Sequence, residues 1–224
     1  MHPVNASKLS CIGLLFLSLI PCVAGLFRLY ELGFGSDILP TNTRIELMPV
    51  PAIIHILSSV IFCLLGAWQL TNGNWRAKPD FHRYLGRVLV VAGLLCALSG
   101  LWMTHYYPFP EALQGDLLYT VRLFVSIAMV VSIGLGVLAI IYQRTEQHRA
   151  WIIRAYALAQ GAGTQAVISL PWILSNNEPI GLARDILMSL AWVINIGGAE
   201  FVIRKTTKTI TQTRSTILHV RQID

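Results

Sequence analysis

Apolar residues run through this chain in long blocks separated by short polar intervals. Six blocks lie at about 9–32, 50–71, 87–107, 117–142, 151–175 and 180–203. A hydrocarbon core about 30 Å thick needs about 20 apolar residues in helical form. Lipid cannot hydrogen-bond an open strand edge, so helices are the element that fits. The pattern predicts an all-α polytopic membrane protein. Residues 1–205 form a bundle of six transmembrane helices, and a basic tail follows at 206–224.

Charge sets the threading. Lys8, Arg76, Lys78, Arg83, Arg87, Arg144, Arg149, Arg154, Arg204, Lys205, Lys208, Arg214 and Arg221 fall at one set of block ends. Arg28, Arg44, Arg122 and Arg184 fall at the other. Basic residues collect in cytoplasmic loops, so both termini are expected in the cytoplasm. The connection from Tyr106 to Asp116, with Pro108 and Pro110 and no basic residue, is expected outside. The apolar run after Lys8 also has the outline of a signal peptide. Its length, and Arg28 close behind, favour a retained helix kinked at Pro21.

Composition agrees. Of 224 residues, 54% are hydrophobic and 12% are charged, about half the charge of a soluble domain. That excludes disorder and makes a soluble globule untenable. The net charge of +6 belongs to the loop bias, so the partner expected is a lipid bilayer and not nucleic acid. The four cysteines, at 11, 22, 63 and 96, all lie inside spans and show no zinc spacing.

Membrane helices pack through small residues. In the third block His82, Gly86, Gly93, Ala97, Gly100 and Thr104 form one stripe, expected to pack on the second block beside Gly66. The second block carries its own stripe: His55, Ser59, Phe62, Gly66 and Gln69. Gln160, Gln165, Asn195 and Glu200 add polar groups at depth, where such residues face the bundle interior.

The most specific local signal is a repeated pattern. His82-Arg83-Tyr84-Leu85-Gly86-Arg87 opens the third block, and His148-Arg149-Ala150-Trp151-Ile152-Ile153-Arg154 opens the fifth. Each is His-Arg, an aromatic, then a second Arg near one turn later, entering from the same side. Arg and aromatic residues anchor helices at the headgroup layer. Anchoring does not require histidine twice, so His82 and His148 are expected to approach each other. His55, inside the second block, is an intramembrane ionisable group and a further candidate. His105, beside Tyr106, fits an interfacial position.

These motifs, from His55 through the two His-Arg runs to Ala155-Tyr156-Ala157-Leu158, resemble a family of bacterial multipass membrane proteins catalogued as a predicted membrane protein domain of unknown function. The resemblance covers about residues 50–175 and implies an inner-membrane location. Ile152 stands where the family pattern has Met, and Gln165 near where it carries Arg.

Three functional readings follow. In the first, His82 and His148 ligate haem b in a redox protein, with Arg83, Arg87, Arg149, Trp151 and Arg154 around the group and His55 as a further ligand. In the second, His55, Arg122, Gln160, Gln165, Asn195 and Glu200 form a polar pathway for transport or sensing of a small molecule; the alternative for Arg122 is a pair with Asp116 or Asp185 near the external surface. In the third, the chain is a scaffold or accessory subunit, joined to another membrane protein or to itself. No nucleophile motif, phosphate loop or paired carboxylates points to a hydrolase or transferase.

Overall fold

A computed structural model describes the backbone of residues 3–35, 42–71 and 78–220, and the side chains of 10–35, 42–71 and 78–208. Lys8, Arg76, Arg214 and Arg221 of the charge pattern lie outside the described side chains. Among the described residues the protein is all-helical: α1 (Pro3–Phe34), α2 (Thr43–Leu47), α3 (Pro49–Thr71), α4 (Pro79–Tyr106), α5 (Asp116–Ile141), α6 (Thr145–Ala159), α7 (Gly161–Leu174) and α8 (Gly181–Val220). Five segments are long and apolar enough to cross a membrane: Ser10–Phe34 within α1, then α3, α4, α5, and Gly181–Lys208 within α8.

The expected stripe on α4 does meet the stripe on α3. A Cβ at Gly100 would lie 3.3 Å from His55, one at Gly93 2.7 Å from Phe62, and one at Gly86 3.4 Å from Gln69. Each step of seven residues down α3 is matched by seven back along α4, the register of an antiparallel pair. Small residues let the two backbones come this close, and dispersion then replaces the hydrophobic effect as the cohesive term. Gly66 corrects the expectation. It faces the ring of Tyr156 on α6, 2.8 Å from where its Cβ would sit, and not α4.

Three boundaries differ from the sequence reading. Helix α4 begins at Pro79, eight residues before the expected span, because Pro at the first helical position costs no hydrogen bond. The expected tail at 206–224 continues α8 as helix to Val220. The block expected as one fifth span, 151–175, is two helices, α6 and α7, meeting at Gln160.

That break is satisfied from the side. The carbonyl of Ala157 accepts a hydrogen bond from Asn195 Nδ2 at 3.1 Å, and that of Leu158 accepts one from Trp192 Nε1 at 3.1 Å. Freed backbone groups inside a bundle persist only when side chains take them. The glycines after the break make room. A Cβ at Gly161 would lie 2.1 Å from Trp192 Nε1, and one at Gly163 2.2 Å from the backbone oxygen of Leu17. Helix α8 therefore inserts two side chains at the break while α1 lies against its far side.

Candidate functional site

The break places Gln160 at the centre of a buried polar chain. Its Nε2 donates to Ser18 Oγ at 2.8 Å and to the Tyr156 hydroxyl at 2.6 Å. Ser18 Oγ lies 3.2 Å from Gln160 Oε1, and Tyr156 donates to the carbonyl of Cys63 at 2.8 Å. Ser18 is 1% exposed and Gln160 3%. Three helices and a junction are joined here: α1, α3, α6 and the α6–α7 junction. Nearby, Thr164 Oγ1 donates to Asn195 Oδ1 at 2.7 Å, and Gln165 Nε2 to the Met188 carbonyl at 3.0 Å.

Above this chain lies a cavity of about 440 Å³. Gln160 and Ser18 form part of its lining at one depth, and His55, Ser126 and Thr104 line it elsewhere. Its walls are otherwise mostly apolar, including Ile56, Ala97, Met103, Val125, Met129 and Trp192. At the end of the bundle that carries α2 and the 107–115 connection it reaches Arg44, Phe109 and Arg122. The size falls within the range of ligand pockets, about 300–1,000 Å³, and mostly apolar walls with a few placed polar groups are their usual make-up.

His55 is held by its partner helix. Its Nδ1 lies 3.0 Å from the Cys96 carbonyl and 3.2 Å from Ser99 Oγ. A carbonyl only accepts, so Nδ1 carries the proton and Nε2 keeps the lone pair. Ser59, its expected face partner, turns its hydroxyl back to Ile56 O. Cys22, Cys63 and Cys96 are buried free thiols that also line the cavity.

Arg122 feels the charge of Asp185 but makes its hydrogen bond elsewhere. It donates to Gln114 Oε1, and Gln114 in turn reaches the Thr104 carbonyl at 3.4 Å. Asp185, 2% exposed, instead caps α5: its oxygens accept the N–H of Gly115 at 3.2 Å and of Leu118 at 3.1 Å. A carboxylate at a helix N-terminus meets the positive end of the dipole. Gly115 is needed there, since a Cβ would lie 2.6 Å from Asp185 Oδ2.

The two His-Arg motifs sit at the opposite end of the bundle and divide their work. His148 donates Nδ1–H to the Gly136 carbonyl at 2.8 Å, tying α6 to α5. Arg149 reaches Thr206 at 3.3 Å. Arg154 pairs in a fork with Glu200, at 2.6 and 3.2 Å, and lies 4.6 Å over the Trp151 ring, which ties α6 to α8. Arg83 pairs with Asp80 one turn back on the exposed face of α4. Arg87 is exposed. His82 is half-buried and close enough to His148 for their charges to interact. His105 hydrogen-bonds the Tyr119 hydroxyl at 2.9 Å on the exposed side of α4. Neither His82 nor His148 lines the cavity.

Sequence reasoning marked His55, Gln160, Gln165, Asn195, Arg122 and, as a partner of Arg122, Asp185; it named Tyr156 only within the second motif and Arg44 only within the charge pattern, and Ser18 and Phe109 not at all. Of these, Phe109 between two prolines carried the clearest unused signal, an aromatic ring held in a rigid connection.

Residues 52–203, from α3 through most of the membrane part of α8, match the family model described as Predicted membrane protein (DUF2306). No curated protein and no solved structure matches the chain. Helices α1 and α2, which supply Ser18, Cys22 and Arg44 to the cavity, lie outside the matched region.

Proposed function

We propose, on the premise that the chain belongs to the DUF2306 family of predicted membrane proteins, that it binds a small amphiphilic molecule in the cavity within its helical bundle. The carrying observation is the cavity itself, apolar along its walls and polar at separated depths, with His55 and the Ser18–Gln160 pair facing it. An opening of about 440 Å³ in a bundle forfeits contacts that dense interiors otherwise make. The reading also takes α6 and α7 as one broken span. That gives six crossings, with both termini in the cytoplasm of a bacterium and the motif end at the inner face of its inner membrane. Discontinuous membrane helices line substrate sites in many transporters. A carrier or a sensor is therefore the class that fits.

The test is photolabelling of the purified protein in nanodiscs with a diazirine-bearing hexadecanol. Labelled peptides should come from the cavity walls on α3, α4, α5 and α7. Val125→Trp and Ala162→Phe, each filling the space from a different wall, should remove most of that labelling while the folded yield holds. Labels spread evenly over lipid-facing residues, with no effect of either variant, would exclude the reading.

A second reading concerns the opposite end and rests on the geometry of His148. Because its Nδ1–H is given to Gly136, its Nε2 keeps the lone pair that a haem iron takes, and His82 is near. In that reading Arg83, Arg87 and Arg149 attend the propionates of haem b, and Arg154 does not, being held by Glu200. A Soret band lost in both His82→Ala and His148→Ala is expected from it. Colourless protein from cells supplied with a haem precursor would remove it.

A further inference from the structure

The α2 end of the cavity holds more positive charge than its surroundings compensate. Among the basic residues whose side chains are described, four stand apart from the basic end of the bundle. One, Arg28, is paired with Glu31 at 2.9 Å. The other three, Arg44, Arg122 and Arg184, converge: Arg44 and Arg184 act on Arg122 as like charges. The Arg44 guanidinium carbon lies 4.3 Å from the centre of the Phe109 ring, and that of Arg122 5.1 Å. Both are within cation–π reach of one aromatic face or edge.

Their hydrogen bonds are incomplete. Arg44 Nε donates to Asn42 Oδ1 at 3.2 Å, but its Nη1 is buried and has no acceptor among the described residues. Arg122 donates to a neutral amide. The carboxylate that acts on Arg122 is Asp185, and its two oxygens are already occupied by the N–H groups of Gly115 and Leu118. Burial holds the Arg44 guanidinium below its usual pKa, a sign that its charge is imperfectly solvated. Burying a cation without a counter-charge is costly. Among the described residues, two guanidiniums reach the mouth of this mostly apolar cavity, and the carboxylate that acts on Arg122 has its oxygens taken, which leaves room for an added anion.

We propose that Arg44 and Arg122 bind the oxyanion head, a carboxylate or a phosphate, of an acyl-chain amphiphile whose tail lies in the cavity. The inference rests on the cavity reading above and adds the head group. Guanidinium suits this role because its planar fork matches the oxygens of both anions. Arg122 lies within the family-matched region and Arg44 outside it. Selectivity for the head group thus draws in part on N-terminal elements outside the matched region.

The experiment is competition against the diazirine-hexadecanol label by palmitate, hexadecyl phosphate and unlabelled hexadecanol. In the wild type the two anions, or one of them, should displace the label at a concentration about tenfold or more below that of the alcohol, the usual worth of a charge-assisted hydrogen bond. Whichever anion competes better distinguishes a fatty acid from a phospholipid source. In Arg44→Gln and Arg122→Gln that advantage should vanish while competition by hexadecanol is unchanged. Should Arg122→Gln fail to fold, Arg44→Gln, on a helix of five residues, carries the test. Equal competition by all three compounds in the wild type overturns the anion site and leaves the cavity reading intact. No wall labelling at all overturns both.

Discussion

Gly163→Ala should damage this protein more than any other single methyl group added to its described glycines. The new Cβ would lie 2.2 Å from the backbone oxygen of Leu17 and 2.9 Å from its carbonyl carbon. A backbone cannot rotate aside as a side chain can, so α1 and α7 must separate. Separation stretches the Ser18–Gln160 hydrogen bonds of 2.8 and 3.2 Å that join them. The cost expected is about 3 kcal/mol, the upper end for overpacking. It should appear as a fall in the thermal transition of the detergent-purified protein. Gly161→Ala should cost less, because the atom it meets belongs to the Trp192 ring, which can swing away at the expense of its bond to Leu158. Gly134→Ala, with nothing within 4 Å, should not lower the transition and should raise it slightly, since alanine favours a helix interior over glycine. If Gly163→Ala and Gly134→Ala melt together, α1 does not pack on α7 as described.

Asp185→Ala should be the second large loss. It removes the acceptor of two backbone N–H groups at the start of α5 and the negative charge near Arg122. Each orphaned buried donor costs about 1–3 kcal/mol. The remaining guanidiniums would then repel without any compensation. Asp185→Asn keeps one acceptor oxygen at nearly the same place, so it should recover part of the stability and leave the charge defect. The two variants therefore separate capping from electrostatics in one series of melting curves. Equal, near-wild-type stability of both would mean that Asp185 neither caps α5 nor balances Arg122.

Much of the architecture was legible because the bilayer reduces it to few rules. Apolar blocks located the spans, and the glycine stripe at 86, 93 and 100 pointed to the helix it meets, since small residues at heptad spacing admit a close neighbour. The break at Gln160 was not legible. Gly161 and Gly163 look like packing residues in sequence, and here they are, but what they admit is Trp192 and the Leu17 backbone. The groups that satisfy the break stand 34 and 38 residues further along the chain, beyond any local pattern. Gly66 was assigned to the wrong neighbour for the same reason: a glycine shows that something approaches and not what does.

The site was legible in its parts and hidden in its assembly. His55 and Gln160 stood out as polar groups at depth, and the cavity lies between them. Arg44 did not stand out, because it sits in a short connection with no periodicity to place it. It becomes informative only where Phe109, from the 107–115 connection, and Arg122, from α5, are brought beside it. The His-Arg motifs were the most visible feature of the sequence. Four of their residues, His148, Arg149, Trp151 and Arg154, hold α6 to α5 and α8. Repetition in sequence thus reflected, at least for the second motif, the similar way in which helices are fastened at one membrane face.

A density map of the full-length protein in lipid nanodiscs, solved by electron cryomicroscopy without added ligand, tests the central claim most directly. The account predicts an elongated density between α1, α3, α4, α5 and α7, running from the Arg44–Arg122 mouth past His55 toward Gln160. A bundle closed on itself, with Met129 and Trp192 filling that space and no room for an acyl chain, would contradict it.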